Sequence, residues 1–156
     1  MTTDTALEEK TIAAAETFAA EKDDEALYVM LGKQEKALAR DPSLATQPAL
    51  DPDYDSSHMG LVDDLKDIGK RIVARWSRAL YDLVCGGQGE DADRKKLMDA
   101  LNVGEAATIG AVTALLLGMA VPPPIAAAAS VVIVRKFLMP AGEEVCLFWG
   151  EQLDEA

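Results

Sequence analysis

Three aspartates within five residues, Asp63-Asp64-Leu65-Lys66-Asp67, form the densest chemistry-bearing group in this chain. On a helix Asp63 and Asp67 stand one turn apart, a spacing at which two carboxylates could share a divalent cation. Other reactive residue types are sparse. His58 is the single histidine, so the chain by itself builds no His-based metal site. It reads as a solvated imidazole, with a pH switch as the alternative. Gly86, Gly87 and Gly89 form a glycine-rich turn. A phosphate loop would need Gly-Lys-Ser/Thr at the following helix, whereas Glu90, Asp91 and Asp93 here repel phosphate, so a helix cap is expected. Cys85 and Cys146 show neither metal-ligand spacing nor a disulfide framework. Cys85 ends a helix, where the dipole disfavours thiolate, and Cys146 lies among apolar residues. Two unreactive thiols in a reducing intracellular compartment are the expectation.

The DDxxD spacing resembles the aspartate-rich, magnesium-binding motif of isoprenoid diphosphate synthases and terpene cyclases, and the resemblance implies metal-assisted diphosphate chemistry at Asp63, Asp64 and Asp67. It covers five residues. The chain is shorter than the usual fold of those enzymes and offers no second such motif. Acidic residues early in a helix also complement its dipole, and Asp67 can pair with Arg71 four residues on. The helix-terminus reading is the one adopted, so no metal, cofactor or catalytic residue is assigned and a non-enzymatic protein is expected.

These residues are carried by helices. Thr5 with Glu8 has capping-box spacing for a first helix to about Lys22. Asp23-Asp24-Glu25 then supplies an acidic start for a second, to about Arg40. The two read as an antiparallel pair. Residues 41–57, with Pro42, Pro48 and Pro52, read as a linker. From Met59 to Val84 the apolar residues Leu61, Leu65, Ile68, Ile72, Trp76, Leu80 and Leu83 recur every three or four positions, the stripe of one long helix. A short helix over about 92–101 follows, and Asn102 with Glu105 has the spacing of a cap for the next helix, to about Ala120. A helix over 125–138, with Pro124 in its first turn, and a last one over 142–153 complete the chain. The fold class is all-α: a bundle of about six or seven helices with a central hydrophobic helical hairpin. Three segments are expected, namely an acidic hairpin over 1–40, the linker over 41–57 and a main helical domain over 58–156.

The hairpin stands out because no charge occurs from Ala106 to Val134 in a chain of net charge -12. Pro122-Pro123-Pro124 breaks the run. Ala106, Gly110, Ala114 and Gly118 recur every four residues, a small-residue ladder that admits a close helix neighbour, and Leu116 belongs to the apolar remainder. The first arm would span roughly 24 Å and the charge-free part of the second about 15 Å, against about 30 Å of bilayer hydrocarbon. A buried core hairpin is therefore expected, with lipid insertion of residues 106–139 as the alternative.

Charge is unevenly spread. Residues 1–60 hold five basic and thirteen acidic side chains, residues 61–102 eight of each, and residues 103–156 two and six. A pI near 4.4 excludes general nucleic-acid binding, which needs clustered cations. Arg71, Arg75 and Arg78 line one flank of the long helix as a docking stripe, for the acidic N-terminal hairpin or for a partner. The expected function is that of a non-enzymatic helical interaction protein, an adaptor or regulatory subunit, which binds another protein in the cytoplasm. The alternative is a membrane-acting protein whose hairpin enters lipid.

Overall fold

Two glycines in the middles of helices set a close helix contact in this chain. The computed structural model describes residues 5–50, 59–85, 91–140 and 145–155. It contains α1 (Thr5–Glu21), α2 (Asp24–Arg40), a 3-10 turn (Pro42–Thr46), α3 (Met59–Val84), α4 (Asp91–Val103), α5 (Glu105–Gly118), α6 (Pro123–Ile133) and α7 (Val145–Glu155). A π-helical turn, Val134–Leu138, extends α6. No strand occurs among the described residues, and the fold is an all-α bundle of seven helices. α2 and α3 run in opposite directions where they cross. A Cβ on Gly32 would lie 2.8 Å from the Leu65 Cα, and one on Gly69 would lie 2.7 Å from the Tyr28 Cα. Only glycine lets the two backbones come this close.

α6 is the axis of the bundle. Every residue from Pro124 to Val134 is buried, and α1, α2, α3 and α5 all pack against this helix. Ala126 to Ala129 give it a thin circumference, which allows short interaxial distances on several sides at once. α5 and α6 thus form the expected hydrophobic hairpin, and it is the core. A hydroxyl pair joins the arms: Ser130 Oγ donates to the Ala127 carbonyl (3.0 Å) and accepts from Thr113 Oγ1 (2.9 Å). Among the described residues no helix is long and apolar enough to cross a membrane.

The turn between the arms is a Schellman motif followed by proline. Val121 N–H donates to the Leu116 carbonyl (3.1 Å) and Ala120 N–H to that of Leu117 (3.0 Å), the paired bonds that close a helix C-terminus. Ala120 takes φ 67° to make them, a conformation that favours glycine. Val121 and Leu116 are both buried, as the motif's apolar contact requires. Pro122 then precedes α6, whose first turn contains proline. Ala120 is exposed, so Ala120→Gly relieves strain without opening a cavity. It should stabilise the fold by about 1 kcal/mol, read as a higher denaturation midpoint in urea.

Several expectations change in three dimensions. α1 and α2 do not form a mutual hairpin: α1 lies on α5 and α6, and α2 on α3 and α6. Phe18, Leu27 and Leu31 share one hydrophobic cluster with Leu80, Leu116 and Trp149. The buried faces of α1 and α2 are therefore satisfied chiefly by the body of the protein. Asn102 lies inside α4, and the joint to α5 is Gly104, at φ 148°. Residues 41–50 of the expected linker carry local structure: Asp41 caps the 3-10 turn through Ser43, and the Leu50 carbonyl accepts from buried Gln34 Nε2 at 2.7 Å; residues 51–57 lie outside the described residues. Of the small-residue ladder, Ala106 and Gly118 are exposed, and a Cβ added at Gly110 would meet Ile12 at ordinary van der Waals distance, so no glycine is needed there. Ala114 is half-buried and Leu116 fully buried. The close helix approach lies at Gly32 and Gly69 instead.

The cysteines are also corrected. Cys85 at the end of α3 and Cys146 at the start of α7 are joined as a disulfide across a separation of 61 residues, with Cα atoms 5.6 Å apart. No free thiol remains. Closing a loop of this length contributes about 4 kcal/mol in the chain-entropy account. The argument for a reducing compartment, which rested on free thiols, falls with it.

Candidate functional site

Beyond the glycine crossing, the second half of α2 and the middle of α3 diverge over the α5–α6 turn and leave a groove of about 540 Å³. Its apolar lining comes from Leu38 and Ala39 of α2, Ile68, Ile72 and Trp76 of α3, and Pro122 and Ile125 beneath. The stripe that places Leu65, Ile72 and Leu80 in the core leaves Ile68 and Trp76 only half-buried, because none of the described helices covers the wedge above them. Glu35 stands on the α2 side, and Arg71 and Arg75 on the α3 side.

The two arginines are one helical turn apart and both exposed. Arg71 Nε donates to the Asp67 carbonyl on its own helix (3.4 Å), and the Arg75 guanidinium lies 4.9 Å from the centre of the Trp76 ring. This contact holds a cation over the aromatic part of the groove. Chemically, the groove can receive an apolar body that carries one or two anionic groups. Two of the three arginines read from the sequence line it. Arg78 is exposed on the same helix, outside the lining.

The aspartate group resolves differently. Asp63, Asp64 and Asp67 are exposed on α3, and no set of three His, Cys, Asp or Glu residues that could hold a metal ion occurs among the described residues. Between Asp63 and Asp67, Lys66 reaches across to α2 and donates to Glu25 at 3.0 Å. The hydrogen bond to Glu25 and its charge, with smaller help from Asp63 and Asp67, raise the Lys66 ammonium above the ordinary lysine value. A raised cation stabilises the fold below the ordinary lysine pKa and loses that contribution as pH rises through the folded value. The effect is confined to alkaline solution. Lys66 thus places an ion pair between acidic α2 and α3. His58 and the turn at Gly86, Gly87 and Gly89 lie outside the described residues.

Two features of this region were missed in the sequence. One is the glycine pair, whose only signal was a mid-helix glycine on each of two helices. The other is Arg135, which joins the C-terminal end of α1 to Asp24 and Glu105 and carried no local signal at all. Comparison with protein-family models, curated proteins and solved structures finds no match to this chain.

Proposed function

We propose that this protein is a non-enzymatic helical interaction protein, an adaptor or regulatory subunit, and that its α2–α3 groove receives an acidic amphipathic helix of a partner protein. The observation that carries this reading is the pairing of Arg71 and Arg75, one turn apart, with the half-buried Ile68 and Trp76 beneath them. An occupant helix with carboxylates at i and i+4 meets both guanidiniums, and its apolar residues at i+3 and i+7 enter the groove. Ile68 to Trp76 spans roughly 12 Å, about two turns of such a helix. The net charge of -12 opposes acidic partners in general. Only a partner that fills the apolar floor while meeting both arginines overcomes that field, which makes the match selective.

The test is photocrosslinking in the native cell. A benzophenone amino acid replaces Ala39 at the groove or, as a control, Lys95 on the exposed face of α4. The expected result is a groove-specific crosslink whose partner peptide is an acidic amphipathic helix. The paired variant Arg71→Glu and Arg75→Glu should reduce its yield at least about tenfold, since two charge-assisted contacts become repulsive. Equal crosslinking at both positions, or a partner peptide without acidic amphipathic character, refutes the proposal.

A further inference from the structure

We infer that the Cys85–Cys146 disulfide is a redox-sensitive clasp: α7 stays docked while the bond is intact and is released when a dithiol reductant opens it. The inference is independent of the groove and concerns the opposite end of α3. Among the described residues α7 packs mainly on the π-helical turn and on α3. Its single fully buried side chain among those described is Trp149. The indole Nε1 donates to Ser77 Oγ at 2.8 Å, its ring meets Tyr81 edge-on at 5.5 Å and stacks on Phe137 at 6.2 Å. Elsewhere on α7, Leu147 is 63% exposed and Glu151 is also exposed.

An eleven-residue helix is not stable by itself in water. One buried tryptophan must therefore be helped by something that restricts where α7 can go. The disulfide does this, tying the first turn of α7 to the last turn of α3. Both cysteines are half-buried, so the bond lies at the surface within reach of a reductant. α7 adds Trp149 to the rim of the central cluster, whereas α1, α2, α3 and α5 all pack directly on α6 and α4 packs on α5 and α3 without this crosslink. Opening the bond therefore uncovers a seat formed by Ser77, Tyr81 and Phe137 while the bundle persists.

The chemistry is thiol–disulfide exchange. One thiolate of the dithiol attacks a sulfur of the Cys85–Cys146 bond, forming a mixed disulfide and expelling the other cysteine as a thiolate that takes up a proton. The second thiol of the reductant, deprotonated, then displaces the remaining cysteine, which is protonated in turn. Two electrons pass to the protein, and the reductant leaves as its own disulfide.

The test uses the full chain labelled with 5-fluorotryptophan, whose two ¹⁹F resonances come from Trp76 and Trp149, assigned with Trp149→Phe. Dithiothreitol is the reductant. The expected result is a shift of the Trp149 resonance to a solvent-exposed position, an unmoved Trp76 resonance and far-UV helicity reduced by no more than the share of α7. Proteolytic cleavage within 145–155 should rise at least tenfold, and reoxidation should restore both readouts. An unmoved Trp149 resonance in protein shown by thiol titration to be reduced overturns the clasp. So does collapse of both resonances with global loss of helicity, which makes the bond a general staple. A bond that resists dithiothreitol in the folded protein overturns it as well.

Discussion

Gly69→Ala is expected to destabilise the fold by about 3 kcal/mol, although alanine is the better helix former. In an exposed helix interior the same exchange is favourable by up to about 1 kcal/mol. At this position the added methyl meets the Tyr28 backbone, with the Tyr28 Cα only 2.7 Å away. A backbone cannot rotate aside as a side chain can, so α2 and α3 must separate. Separation also loosens Tyr28, Leu31 and Leu65, all of which are buried. Overpacking of this kind costs about 1–3 kcal/mol or more. Gly32→Ala should behave alike, because its methyl meets Leu65 Cα at 2.8 Å. The double variant should lose less than the sum, since one separation accommodates both methyls. Gly118→Ala is the control: a Cβ there meets nothing within 4 Å, so it should be neutral or mildly stabilising. Urea denaturation of the three single variants reads the signs directly. A stabilised Gly69→Ala protein would show that the α2–α3 crossing is not tight.

Removing Arg135 should produce the other large loss, about 3 kcal/mol for Arg135→Leu. α1 ends at Glu21, and its last carbonyls have no partners within the helix. Arg135 Nη1 donates to the Lys22 carbonyl at 2.9 Å and Nη2 to that of Ala19. The guanidinium also lies 3.6 Å from Asp24 Oδ1 and 3.7 Å from Glu105 Oε1. One side chain thus ties the end of α1, the start of α2 and the start of α5 to the end of the central helix. Its side chain is 25% exposed, so the pair is only partly screened by water. Leucine would leave two carbonyls and a largely desolvated Asp24 oxygen without a cation. Breaking such a group by deleting one partner costs more than the pair itself contributes. Arg135→Lys should recover less than half of the loss, because an ammonium cannot present the same fork of donors to two carbonyls. Full rescue by lysine would mean that charge alone matters at this position, and an unchanged urea midpoint for Arg135→Leu would remove the keystone role.

Much of the helical architecture was legible locally. The stripe from Leu61 to Leu83 defines α3 to the residue, because a one-sided helix writes its period into its own segment. Asp23 accepts from Ala26 N–H at 2.8 Å, as its place before an acidic first turn implied. The proline triplet opens α6 as its fixed backbone angles require. The charge-free run forms the hairpin core because most of its side chains are apolar and none carries a charge that would hold it at the surface. At the candidate groove, the arginines were visible as a stripe, but the floor beneath them was not. Pro122 and Ile125 come under Trp76 only through packing between distant segments.

The sequence by itself determined which segments are helices, approximately where most of them start and stop, and that the α5–α6 hairpin must be covered. Those properties follow from backbone angles, capping groups and apolar periodicity within a few residues of each other. Only the tertiary structure decided which helices touch. It separated α1 from α2, closed α2 on α3 through Gly32 and Gly69, and brought Arg135 to carbonyls 113 and 116 residues away. It also paired Cys85 with Cys146. These contacts join side chains and backbones whose chemistry is unremarkable in isolation and whose meeting depends on the geometry of all seven helices together.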